Sequence, residues 1–201
     1  PEPPGAEEPD RFDYDPNNPV PSIGGNSSIG HWAGGGDDPV ISGPIDQRPI
    51  EQRADVLVYT SRPLEQDLEV TGPIEVVLYA ASSAPDTDFA FKLVDVFPDG
   101  RAINLSDGII RARHRKSLTR PEPLEPGEVA EFKLNLCVTS NVFKKGHRIR
   151  LDVTSSNFPR FSRNLNTGEN VATGTRMQLA HQTVLHSARY PSHVVLPVIP
   201  G

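Results

Sequence analysis

The sequence predicts an all-β protein: an antiparallel β-sandwich or jelly roll, preceded by an extended arm rich in proline and glycine. Three observations carry this. From about Ala54 onward, apolar residues recur at every second position in short runs. Those runs are rich in Val, Ile and Phe and are separated by Pro, Gly, Asp and Asn. No segment sustains a helical period over three turns, so two packed sheets are the architecture left.

In chain order, residues 1–50 hold 10 of the 21 prolines and 8 of the 16 glycines. Chain of this kind cannot bury enough apolar surface to fold alone, so residues 1–53 read as an arm and 54–201 as the sandwich domain. "DVLVYTS" opens the strands. In "PIEVVLYAAS", Ile74, Val76 and Leu78 share one face. "FAFKLVDVF" puts Phe89, Phe91 and Leu93 on one side, and "FPDGR" at 97–101 is a hairpin turn around Asp-Gly. "EFKLNLCV" predicts Phe132, Leu134, Leu136 and Val138 inside, with Glu131, Lys133 and Asn135 outside. "RIRLDV" repeats the alternation with Ile149, Leu151 and Val153, leaving Arg148, Arg150 and Asp152 on the other face. "MQLAHQTVLHS" and "HVVLPV" are the last strands.

The formal charge is −6, with no clustered basic excess, so a nucleic-acid partner is not expected. The densest basic stretch, Arg111, Arg113, His114, Arg115 and Lys116, lies among acidic residues. The one cysteine, Cys137, excludes an internal disulfide and, sitting in an alternating apolar run, is expected to be buried and inert. No apolar run reaches the roughly 18 residues of a membrane span, so no membrane partner is expected.

Candidate chemistry is sparse. The closest approach to G-x-S-x-G is Gly25-Asn26-Ser27-Ser28-Ile29, which lacks the last glycine. Asp86 and Asp88 in "PDTDF" are two apart; they could begin a calcium site, but the further acidic ligands of such a loop are missing, and a structural role at a turn is preferred. His147 reads as a satisfied strand-end histidine. His181 and His186 fall on opposite sides of a strand and make a poor metal pair. In "NFPRFSRNLNTG", Arg160, Arg163 and Asn164 could meet a ligand or donate to carbonyls that hold the loop; the second role is preferred.

Three long stretches carry a resemblance: "GPIDQRPIEQRADVLVYTS", "LEVTGPIEVVLYAASSAPDTDFAFKLVDVFPDGRAINLSDGIIRARHR" and "TSNVFKKGHRIRLDVTSSNFPRFSRNLNTG", with "PSHVVLPVIP" at the end. Together they resemble the C-terminal, X-Pro dipeptidyl-peptidase-like domain of CocE/NonD-type serine hydrolases, a family of acyl esterases, X-prolyl dipeptidyl aminopeptidases and acylases. The resemblance implies a jelly-roll sandwich similar to galactose-binding domains, following an α/β-hydrolase domain that holds the Ser, Asp and His of the triad. It assigns no catalytic residue, metal or cofactor to this stretch, which alone should be inactive. The implied partner is that hydrolase domain, with homo-oligomerisation as a further expectation and a cytoplasmic rather than secreted location. Ile29 and Trp32 of the arm are expected to contact the catalytic domain near the substrate pocket, while Asp86, Asp88, Arg160 and Asn164 are expected to be structural. A carbohydrate-binding module is the alternative that the fold alone would allow.

Overall fold

The computed structural model describes residues 8–25 and 42–200. Its strands are β1 (Asp10–Tyr14), β2 (Leu57–Thr60), β3 (Leu68–Ser82), β4 (Asp88–Val96), β5 (Ala102–Arg111), β6 (Ala130–Phe143), β7 (Arg148–Thr154), β8 (Ala180–Leu185) and β9 (His193–Val195). One sheet runs β1-β8-β3-β6, with β9 also on β3; the other runs β2-β7-β4-β5. Every pairing between these strands is antiparallel. The sole α-helix among the described residues, α1 (Arg48–Glu51), is a single turn. This is the two-layer β-sandwich the alternation predicts.

The inner faces are the ones read from the period of two. Phe89, Phe91 and Leu93 of β4 share a core with Ile74, Val76 and Leu78 of β3 and with Phe132 and Leu136 of β6. Phe89 and Phe132 pack ring on ring at 4.8 Å. Each such side chain contributes roughly 1.5–3 kcal/mol by leaving water. Gly108 on β5 faces the same gap: a Cβ there would stand 2.9 Å from Leu136 Cδ2, so the sheets meet at that point only because no side chain intervenes. The turn at Phe97–Arg101 forms as predicted, with Gly100 at φ +89 and its N–H donating to Phe97 O.

Two expectations are corrected. Cys137 is exposed, not buried, and Val138 is 73 % exposed instead of inside. The alternation of β6 breaks at Cys137, which takes φ +76, opposite a register shift between Pro73 and Glu75 of β3. One extra residue in a paired strand throws every later side chain to the opposite face. Thr139, Asn141 and Phe143 therefore point inward and Val138 and Val142 outward.

The stretch expected to be extended arm also contributes regular structure. Asp10–Tyr14 is the edge strand beside β8, with Phe12 and Tyr14 in the core. Val20, Ile50 and Val56 form a second small core against the outer face of the β2-β7-β4-β5 sheet. All nine residues of β4 are buried, on both faces: Gln47 covers Lys92, and Val94 and Val96 pack with Ala102 in a further small cluster.

Candidate functional site

Two buried polar assemblies and one apolar cleft are the places where this fold concentrates unusual chemistry. The first lies where β4 begins. Asp88 is paired with Arg111 through two bonds of 2.9 Å, from Nε and Nη2. Asn164 donates its amide to Asp86 Oδ2 (2.9 Å) and Asp88 Oδ1 (2.8 Å), while its own Oδ1 takes the N–H of Asn166 (2.9 Å). Arg113 N–H closes the set on Asp86 Oδ1 at 3.0 Å, and Tyr14 O–H donates to Asn164 O at 3.0 Å. The two aspartates are thus brought together with Asn164, across more than seventy residues of sequence, and the long loop after β7 is tied to the sheet through them. Burial raises the Asp88 pKa, and the Arg111 guanidinium and the Asn164 amide offset only part of that rise. Burial also pushes the Tyr14 phenol far up, so it remains a donor.

The second assembly lies on the outer face of the β2-β7-β4-β5 sheet. Lys92 stands opposite Asp107 on one side and Asp152 on the other. All three are nearly solvent-free, at 4, 5 and 1 % exposure. Lys92 Nζ donates to Gln47 Oε1 (2.7 Å), Arg160 pairs with Asp107 (2.9 Å), and Asn157 donates to Asp107 Oδ2 (3.0 Å). Both oxygens of Asp152 lack a hydrogen-bond partner. Burial accordingly lifts the Asp152 carboxyl to about 7, and burial lowers the Lys92 ammonium to about 8. Glu51, paired with Arg150 at 2.5 Å, adds a second negative charge nearby.

Above this row the chain leaves the described residues at Gly25 and returns at Ser42. Gly25 and Gly43 exchange two backbone bonds, 2.8 and 2.9 Å. Only glycine fits here: at Gly24 a Cβ would meet Gly43 O at 2.6 Å, and at Gly25 it would meet Arg160 Nη1 at 2.9 Å, both at positive φ. Ile29 and Trp32 lie outside the described residues.

The cleft, about 800 Å³, opens between the sheets and is lined by apolar side chains including Leu64, Leu78, Leu151, Val184 and Val194. At its lip Tyr59 O–H and His186 Nε2 both meet Asp10 Oδ2, at 2.7 and 3.0 Å. Two other histidines have acid partners as well: His147 Nδ1 meets Asp95 at 2.9 Å and His181 Nδ1 meets Asp13 at 2.7 Å, whereas His114 and His193 face backbone carbonyls. No group of three or more His, Cys, Asp or Glu side chains among the described residues is placed to hold a metal. No helix among them is long and apolar enough to cross a membrane.

The alternation of "FAFKLVDVF" and "RIRLDV" already puts Lys92 and Asp152 on the face opposite the core, but sequence reasoning gave that face no cover and so missed the buried row. The one available signal was a charge in the middle of each strand run. Gln47 gave no signal, because a glutamine in a polar loop is ordinary.

Buried polar networks that tie long loops to the strands are the chemistry this β-sandwich holds. The model of the X-Pro dipeptidyl-peptidase C-terminal non-catalytic domain matches residues 1–195, and the chain belongs to that family. It is 48 % identical over 197 residues to cocaine esterase of Rhodococcus sp. (strain MB1 Bresler), covering 97 % of this chain and 33 % of that protein. A putative serine esterase of Mycobacterium bovis is 36 % identical over 128 residues, 55 % of this chain and 20 % of its own length. Among solved structures, an α-amino acid ester hydrolase superposes with a TM-score of 0.88 at 31 % identity, covering 98 % of this chain and 34 % of that one. An aminopeptidase from a marine-sediment Thaumarchaeota archaeon gives the same score and identity, over 99 % of this chain and 34 % of that one. The chain spans about a third of the length of the cocaine esterase it matches.

Proposed function

We propose that this domain is the C-terminal accessory part of a CocE/NonD-type serine hydrolase that cleaves ester or amide bonds. In this reading an upstream α/β-hydrolase domain supplies the serine nucleophile, its histidine base and the oxyanion donors. The sandwich buttresses that domain, and residues 26–41 border the acyl side of its active site, with Ile29 and Trp32 as contacts. The observation that supports this best is the Gly25–Gly43 pair. Its two backbone bonds join the described chain on either side of that segment, at residues 25 and 43. Asp86, Asp88, Arg160 and Asn164 are structural in the same reading, each already engaged by protein groups. Of the described aromatic side chains only Phe158 is exposed, which offers a sugar no stacking platform. Homo-oligomerisation belongs to the reading too; the unpaired edge of β6, with exposed Val138 and Val142, is the surface available for it. A single exposed thiol, Cys137, fits a reducing compartment better than an oxidising one.

The test has two parts. The 201-residue chain should show no labelling by a fluorophosphonate, whereas the full-length hydrolase should label at one serine. In the full-length enzyme, Trp32→Ala should change kcat/KM for acyl esters by about tenfold, the scale of one lost apolar contact, with the melting temperature of the 201-residue chain little changed. Stoichiometric labelling of the isolated chain, or unaltered kinetics with an unfolded domain, would overturn the reading.

A further inference from the structure

Side chains of β4 and β7 hold residues 42–56 against the outer face of the β2-β7-β4-β5 sheet. Lys92 Nζ donates to Gln47 Oε1 (2.7 Å), Arg150 Nη1 to Glu51 Oε2 (2.5 Å) and Thr154 Oγ1 to Asp55 O (2.7 Å). The apolar part of this layer is small: Ile50 and Val56, packed with Val20. Polar terms therefore weigh heavily in whether it stays closed.

The charges beneath the layer do not pair evenly. Arg160 is bonded to Asp107 and Arg150 to Glu51. Lys92 is the cation left for Asp152, its neighbour in register. Its hydrogen bond goes to the neutral Gln47 amide instead, and among the described residues no ion pair joins Lys92 to Asp152. Asp152 is 1 % exposed, and neither of its oxygens has a partner. Glu51, whose side chain is 7 % exposed, likewise has a buried Oε1 without one. Two elements, β7 and α1, thus each bring an unpartnered carboxylate oxygen to the buried face. An ionised carboxylate so placed is strongly disfavoured, whereas the protonated form carries no charge and adds an O–H donor.

We propose that a proton on Asp152 acts as a latch for the outer layer. While it is bound, residues 42–56 close on the sheet; its loss sets a second charged carboxylate beside Glu51 and loosens that layer on its own. The charged groups around Asp152 are Lys92 from β4, Glu51 from α1 and Arg150 from its own strand, with Asp107 of β5 and Arg160 of the loop after β7 beyond Lys92. Its neighbour on β2 is the uncharged Val58. Burial and then the Glu51 charge lift the Asp152 carboxyl from 3.8 to about 7, with Lys92 and Arg150 offsetting part of the rise. In the opened layer Asp152 meets water and regains its ordinary value. Closure is therefore fully supported below the ordinary value, weakens as pH rises from there to about 7, and levels off above it. Lys92, lowered to about 8, acts the other way only above that pH, so the range up to pH 7.5 isolates Asp152.

The test is amide hydrogen exchange at Glu51, Arg53 and Val56, whose N–H groups donate to Gln47 O, Ile50 O and Arg53 O within the layer. After correction for intrinsic exchange, their protection should fall about tenfold or more between about pH 5 and pH 7.5, and should lie below that of the amides joining β3 to β6. Asp152→Asn has no proton to lose and should keep level protection over the same range. Glu51→Gln takes away the charge that acts most strongly on Asp152 and should shrink the fall. Level protection in the parent, or an equal fall in Asp152→Asn or in Glu51→Gln, overturns the latch. Layer amides as protected as the β3–β6 amides at both pH values also overturn it, because the layer would then open only when the whole domain unfolds.

Discussion

Asp88 and Asp152 are both buried carboxylates in neighbouring strands, and burial raises the pKa of each, yet only Asp88 has hydrogen-bond partners. Asp88 faces two N–H groups of Arg111 and the amide of Asn164, so the network is built for its ionised form. Asp88→Ala strands a guanidinium that is mostly buried and should cost roughly 3 kcal/mol in urea unfolding, whereas the double variant Asp88→Leu/Arg111→Met should recover most of that loss. A double variant as unstable as the single one would show that the pair itself, not the stranded charge, carries the stability. Asp152 has no donor on either oxygen, and burial lifts its pKa from 3.8 to about 7. A carboxyl that holds its proton more tightly folded than unfolded loses stability as pH rises between those two values. Lys92, lowered from 10.5 to about 8, contributes in the other direction: stability rises as pH rises between about 8 and 10.5. Asp152→Asn removes the acidic limb and, by taking a carboxylate from beside Lys92, leaves the ammonium pKa lower still. Relative to its parent, the variant should gain about 1 kcal/mol or more between about pH 5 and pH 7.5. A parent that gains on the variant over that range would show Asp152 held as a partnered anion.

Among the strands, β6 shows how one residue reassigns an element. Alternation predicts its first half correctly, with Phe132 and Leu136 inside. The left-handed conformation at Cys137 then reverses the pattern and places an exposed thiol and two valines on a free edge. An L-residue with a side chain pays for that conformation, while glycine does not. Cys137→Gly should therefore be neutral or stabilise by up to about 1 kcal/mol, and Cys137→Val should destabilise by about 1 kcal/mol. Thermal unfolding of the two variants decides it; a loss on Cys137→Gly equal to that on Cys137→Val would mean that the bulge is not strained. β4 and β7 show the reverse case. Their alternation is right for the core face, yet the opposite face is covered by Val20, Ile50 and Gln47, so the mid-strand charges Lys92 and Asp152 are buried too.

Taken as one molecule, the sandwich has a core between its sheets and a smaller one outside them, and the second exists only because residues 8–25 and 42–56 fold back. The proline- and glycine-rich stretch is therefore partly a structural layer. Within its described parts Gly25 and Gly43 pair backbone to backbone, and Gly25 lies against the Arg160–Asp107 pair.

The two sheets, the core positions on β3, β4, β7 and the start of β6, and the Asp-Gly turn were legible from the sequence, because a period of two and turn chemistry are local properties of the chain. The resemblance to the hydrolase family was legible for the same reason: it is carried by contiguous motifs. The roles of Asp86, Asp88 and Asn164 were only half legible, since a turn aspartate can be guessed but its partner more than seventy residues away cannot. Cys137, Val138, Lys92, Asp152 and Gln47 depended on the tertiary structure. Burial of an outer sheet face is decided by what folds over it, and a bulge by the register of the neighbouring strand, and neither is a property of the residue's own neighbours in sequence.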